Sequence, residues 1–153
     1  MSIWNTALNI LSRREHSRFE LGRKLRIRFP DQDDDIETVL VGLVDRDLQS
    51  DARFVELWLT MQINRARGPI RIRYEARTKG VEQLIEAALT ERQIDWFEQA
   101  LSCARRKLPS GIADEQRAKA YRFLAYRGFE ADAIHYALTE LRVGHGRNSA
   151  FEG

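Results

Sequence analysis

Apolar positions recur at helical spacing almost without interruption along this chain, and the helices they predict fall into groups of three. Trp4, Ala7, Leu8 and Leu11 stand at i, i+3, i+4 and i+7, the stripe of an amphipathic helix. Ser17, with Glu20 three residues on, forms a capping box. It opens a second helix that carries Leu21 and Leu25 and ends at Pro30. The acidic run from Asp31 to Asp35 leads into Ile36, Val39, Leu40, Leu43 and Val44, a third helix whose carboxylates suit the positive end of its dipole. The order then repeats. Ser50-Asp51 opens a helix with Phe54, Leu57, Trp58 and Met61; Pro69 enters the first turn of the next; Val81 to Leu89 makes another. A third group carries Phe97, Ala100, Leu101, Ala104 and Leu108, then Ala120, Phe123 and Leu124, then Ile134, Ala137, Leu138 and Leu141. Pro109-Ser110-Gly111 reads as a loop, and no segment reads as a strand.

Two tripeptides sharpen the repeat. Lys79-Gly80-Val81 and Arg127-Gly128-Phe129, 48 positions apart, each close a basic helix. The glycine suits a left-handed C′ position, and the apolar residue after it suits a Schellman contact with Ala76 or Leu124. The predicted fold is therefore all-α: three tandem three-helix repeats over 1–47, 48–91 and 92–143, forming an elongated array, with a flexible tail over 144–153. Trp4, Trp58 and Trp96 each fall in the first helix of a group and read as packing residues.

Net charge is only +2, but its distribution is uneven. The windows 13–28, 61–80 and 101–127 hold 20 of the 25 lysines and arginines and only 5 of the 23 acids. Those windows carry +15 against −13 elsewhere, which makes basic patches on a nearly neutral molecule. The lone Cys103 excludes an intramolecular disulfide and suits a reducing cytoplasm; beside an apolar face, it reads as an inert, semi-buried thiol. No apolar run reaches the roughly 18–20 residues of a membrane span.

Catalytic chemistry finds little support. His16, His135 and His145 form no helical pair for a metal, and His16 reads as a boundary residue before the Ser17 cap. Asp33, Asp34, Asp35 and Glu37 read as helix-start carboxylates. There is no phosphate-binding glycine loop and no nucleophile motif. These observations predict a non-enzymatic protein without cofactor or metal.

The basic segments are more specific. The stretch from Arg14 to Leu25, with its acid-His-Ser start, its Glu20-Leu21 and its Arg23-Lys24-Leu25, resembles the first-repeat signature of the RecX family. Asp51-Ala52-Arg53-Phe54 resembles the opening of that family's second repeat, and Gly68 to Val81 resembles its most diagnostic stretch. Ile94-Asp95-Trp96 and Arg122 to Phe129 are similar to its third repeat. The matches run in order from about Ala7 to Leu141. Two departures stand out: Ala76 replaces a usual leucine, and Arg46-Asp47-Leu48 replaces a Gly-Tyr-Leu turn.

The resemblance implies a curved, all-helical, cytoplasmic regulator that lies in the groove of the RecA–DNA filament. Such a protein restrains recombinase, ATPase and coprotease activities in DNA repair and the SOS response. The implied partner is RecA, with single- and double-stranded DNA as secondary, non-specific partners; no membrane partner and a monomeric state are expected for the chain. The candidate contact residues are Arg23, Lys24, Arg26 and Arg28 in the first basic helix. Arg65, Arg67, Arg71, Arg73, Arg77 and Lys79 belong to the second, and Arg105, Arg106, Lys107, Arg122 and Arg127 to the third. A competing reading is a stand-alone, sequence-independent DNA-binding helical module, whose binding would be strongly salt-dependent.

Overall fold

A computed structural model describes residues 1–142. Among them are nine α-helices. The first three are α1 (Ile3–Leu11), α2 (Arg18–Arg28) and α3 (Asp33–Asp45); the next are α4 (Asp51–Asn64), α5 (Pro69–Thr78) and α6 (Glu82–Arg92). The last are α7 (Trp96–Lys107), α8 (Arg117–Tyr126) and α9 (Ala131–Glu140), with a 3-10 turn at Asp114–Gln116 before α8. The predicted all-α arrangement of three three-helix repeats is present. The one extended pairing among the described residues is an isolated bridge between Ile112 and Arg142. The tail predicted over 144–153 lies outside the described residues.

Local chemistry explains the helix starts. The Ser17 hydroxyl accepts from the Glu20 N–H at 3.2 Å while Glu20 Oε1 accepts from the Ser17 N–H at 3.0 Å, the reciprocal pair of a capping box. Ser2 and Asp95 cap α1 and α7 in the same way with one bond each. Pro69 occupies the first position of α5, where its missing N–H costs nothing.

Four of the helix ends share one device. At Gly80 (φ +69°) the Gly80 N–H donates to the Arg77 carbonyl and the Val81 N–H to the Ala76 carbonyl, a Schellman motif. Gly128 (φ +100°) repeats it, with bonds to the Ala125 and Leu124 carbonyls from the N–H groups of Gly128 and Phe129. The same pattern closes α3 on Asp47 (φ +57°) and α4 on Ala66 (φ +58°), neither of which is a glycine. The departure at Arg46-Asp47-Leu48 thus keeps the Schellman geometry, with aspartate tolerating the left-handed conformation.

The chain folds into two compact units. The first comprises Met1–Met61 and Arg73–Arg92, and the second comprises Gln62–Ile72 with the described chain from Gln93 to Arg142. In the first unit, Ala7, Leu21, Leu25, Ile36, Leu40 and Leu43 form one core cluster, with Trp4 packed against it. In the second, Ala66 joins the core that α7, α8 and α9 build around Leu101, Leu124, Phe129, Ile134 and Leu138, with Trp96 beside it. Trp58 is buried and stacks on Phe54, so all three tryptophans pack.

Candidate basic binding surface

In the first unit the N-terminus of α2 meets the C-terminus of α5, and the contact is polar at its centre. Glu20, placed in the first turn by the capping box, receives Arg14 Nη1 at 3.0 Å and Lys79 Nζ at 3.4 Å. Burial pushes its carboxyl up, but the hydrogen bonds from Arg14 and the Ser17 N–H and the charge of Lys79 outweigh that and hold it at about 2. His16, read from the sequence as a boundary residue, is buried there. Its Nδ1 faces the Arg14 carbonyl at 3.1 Å, so that nitrogen carries the proton. Nε2 is then left to accept from Lys24 Nζ at 2.8 Å. Burial, with the nearby cations Arg14 and Lys24, lowers the imidazole below its ordinary range; burial and Arg14 also lower Lys24. Gln49 Nε2 donates to the His16 carbonyl, and Asp51 Oδ1 accepts from the Arg18 N–H, tying α4 to the same point. Phe19 lies against the junction: a Cβ on Gly80 would lie 2.9 Å from Phe19 Cβ.

The remaining candidates of this unit face outward. Arg23 lies over Phe19 at 5.9 Å and Arg77 over Tyr74 at 5.7 Å. Arg26 approaches Asp33 at 3.8 Å, Arg73 pairs with Glu86 at 2.7 Å, and Arg28 is exposed.

In the second unit the start of α5 meets the end of α8 through backbone. The Gly68 N–H donates to the Arg127 carbonyl at 2.8 Å and the Ile70 N–H to the Gly128 carbonyl at 3.0 Å. No side chain fits between them, since a Cβ on Gly68 would lie 2.3 Å from the Gly128 carbonyl carbon. The Arg127 guanidinium bonds the carbonyls of Ala66 and Arg65 at the end of α4, serving as a C-terminal cap from another helix. Arg67 Nη1 donates to Gln62 Oε1 at 3.1 Å, and Arg71 lies over Tyr126 at 5.3 Å. Lys107 covers Phe123 at 5.3 Å, whereas Arg65, Arg105, Arg106 and Arg122 are exposed.

The fifteen basic candidates therefore divide by situation. Lys79 and Arg127 join helix ends, and Lys24 and Arg67 are engaged locally with His16 and Gln62. Arg23, Arg28, Arg65, Arg105, Arg106 and Arg122 are exposed and make no ion pair with the described residues, so their guanidiniums are available to phosphate or carboxylate. Sequence reasoning passed over Arg14, whose signal was its nearness to the capping-box glutamate. It also passed over the Glu20–Lys79 pair, whose separation of 59 residues leaves no local signal.

Cys103 is buried, and burial pushes its thiol up, away from a reactive thiolate. Among the described residues there is no group of three or more His, Cys, Asp or Glu able to hold a metal ion, and no helix long and apolar enough to cross a membrane.

Three family models match in chain order. They are RecX, first three-helix domain, over residues 4–41; RecX, second three-helix domain, over 50–89; and RecX, third three-helix domain, over 93–138. A "Regulatory protein RecX" from Vibrio vulnificus (strain CMCP6) is 37% identical over 144 residues, covering 92% of this chain and 93% of the relative. One of the same name from Pseudomonas putida (strain GB-1) is 40% identical over 137 residues, covering 88% and 87%. The crystal structure of RecX from Lactobacillus salivarius superposes with a TM-score of 0.72 at 26% identity, covering 91% of this chain and 94% of that one. With all three domains matched in order and both sequence relatives spanning nearly its whole length, the chain belongs to the RecX family of regulatory proteins.

Proposed function

We propose that the chain is a non-enzymatic regulator of the RecA recombinase. It acts in the cytoplasm as a monomer, binds in the groove of the RecA–DNA filament, and restrains ATP hydrolysis, strand exchange and coprotease activity in recombinational repair and the SOS response. The observation that supports this reading best is the ordered set of three RecX domains, each bearing exposed basic side chains. We take the repeats as 1–47, 48–91 and 92–143. The exposed arginines meet acidic filament surfaces and phosphate; DNA contact is secondary and sequence-independent.

The test is a titration of the full chain into preformed RecA filaments on single-stranded DNA. ATP hydrolysis and strand exchange are followed, with naked DNA as a parallel target. Inhibition at concentrations below those that saturate naked DNA is the expected result. Tight DNA binding with no effect on RecA would establish the stand-alone DNA-binding module instead.

A further inference from the structure

One face of α8 brings cations and aromatic rings together, with Phe123 packed partly against the core and Tyr126 exposed. Lys119, Arg122, Phe123 and Tyr126 follow at i, i+3, i+4 and i+7, so cations and rings share a single stripe. Tyr126 is 76% exposed, an unusual position for a large ring on a helix whose opposite side holds the core residues Ala120 and Leu124. Each ring already has a cation beside it: Arg71 over Tyr126 and Lys107 Nζ over Phe123, both at 5.3 Å. Next to this stripe a cavity of about 280 Å³ opens, lined by Lys107, Leu108, Gln116, Lys119, Ala120 and Phe123. It is smaller than the roughly 300–1,000 Å³ of pockets that enclose a drug-sized ligand. Its floor is apolar and two ammonium groups stand in its lining.

We propose that this face of α8 is a binding track for single-stranded nucleic acid. One unpaired base enters the cavity against the Phe123 ring, and the neighbouring base stacks on Tyr126. Lys107, Lys119 and Arg122 take the intervening phosphates. The chemistry is that of sequence-tolerant single-strand recognition, in which aromatic faces hold bases and basic side chains track the backbone. Duplex DNA does not fit, because its bases are stacked on one another and cannot reach the cavity. The inference deepens the secondary DNA contact proposed above and rests on it, but not on any contact with RecA.

The experiment measures binding of the full chain to a short labelled oligo-dT strand, an abasic strand of equal length and a duplex of equal length, over a range of salt. The expected result is binding to oligo-dT about fivefold or more tighter than to the abasic strand. Tyr126→Ala and Phe123→Leu should erase that advantage and leave the salt dependence unchanged. The paired change Lys119→Gln/Arg122→Gln should weaken all strands and flatten the salt dependence. Tyr126 is exposed and leucine keeps most of the apolar bulk at the partly buried position 123, so both variants should retain the helical signal and a cooperative melt. Equal binding to oligo-dT and abasic strands, preference for the duplex, or equal losses on both strands in Tyr126→Ala would overturn the proposal. RecA inhibition, measured separately, would be untouched by that failure.

Discussion

Glu20 shows how one residue serves two levels of structure. Its carboxylate completes the α2 cap and also anchors Arg14 and Lys79, and these bonds hold it at about 2 against an ordinary 4.5. A group depressed in the folded state contributes stability above its unfolded value, and that contribution is lost as pH falls through the folded one. At neutral pH the difference is worth on the order of 3 kcal/mol. Glu20→Gln should therefore lower stability by about 2–3 kcal/mol at pH 7, with the gap closing between pH 4.5 and 2. Urea denaturation of both proteins across that range checks it, and a gap constant with pH would contradict the assignment. His16 acts in the same direction at higher pH. Its lowered imidazole makes the fold lose stability once pH drops below the ordinary 6.5, because protonation would strip Nε2 of its role as acceptor from Lys24. The sequence showed the Ser17–Glu20 box, a pattern of adjacent positions. It did not show the burial of His16, which depends on the approach of α4 and its Gln49 and Asp51 neighbours.

At the scale of the element, the left-handed helix ends differ in what surrounds them. Gly128 has no room: an added Cβ would lie 2.4 Å from Arg71 Cβ and 2.7 Å from the Arg71 nitrogen, at φ +100°. Gly80 meets only the Phe19 side chain, its Cβ at 2.9 Å and Cγ at 3.3 Å, and Asp47 already carries a side chain that is exposed. Gly128→Ala should thus cost about 3 kcal/mol or more and Gly80→Ala about 1–3 kcal/mol. Asp47→Gly should stay within about 1 kcal/mol of the parent, relief of the left-handed strain offsetting the greater freedom of the unfolded chain. Thermal melts of the three variants give the ranking, and a Gly128→Ala protein that melts with the parent would refute the close packing. Both glycine stops were legible from the basic-Gly-apolar tripeptides. The stops at Asp47 and Ala66 were not, since no propensity rule favours alanine at positive φ and only the hydrogen bonds reveal it.

Across the molecule, the basic residues that read alike in sequence separate into fasteners and exposed charges. Neutralising Arg105, Arg106 and Arg122 to glutamine should leave stability within about 0.5 kcal/mol, as expected for exposed side chains without ion partners. It should also weaken RecA inhibition and reduce its salt dependence. Arg127→Ala should do the reverse, lowering the melting temperature by removing the cap on α4, with inhibition lost only as folded protein is lost. Melting curves beside inhibition titrations distinguish the two classes. If Arg127→Ala kept full stability but lost inhibition, Arg127 would belong with the contact residues.

The sequence by itself determined the helices, their grouping in threes and the family, because apolar spacing, caps and motif order are local properties of the chain. It also located the excess positive charge. Tertiary structure alone decided which of those charges are spent on the fold and how the helices divide into compact units. The middle repeat contributes to both units, with Gln62–Ile72 in one and Arg73–Arg92 in the other. The cause is physical. Backbone hydrogen bonds at Gly68 and Gly128 and the ion pair of Lys79 with Glu20 join residues some sixty positions apart. Such contacts form only when helix ends meet in space, and they leave no period along the chain.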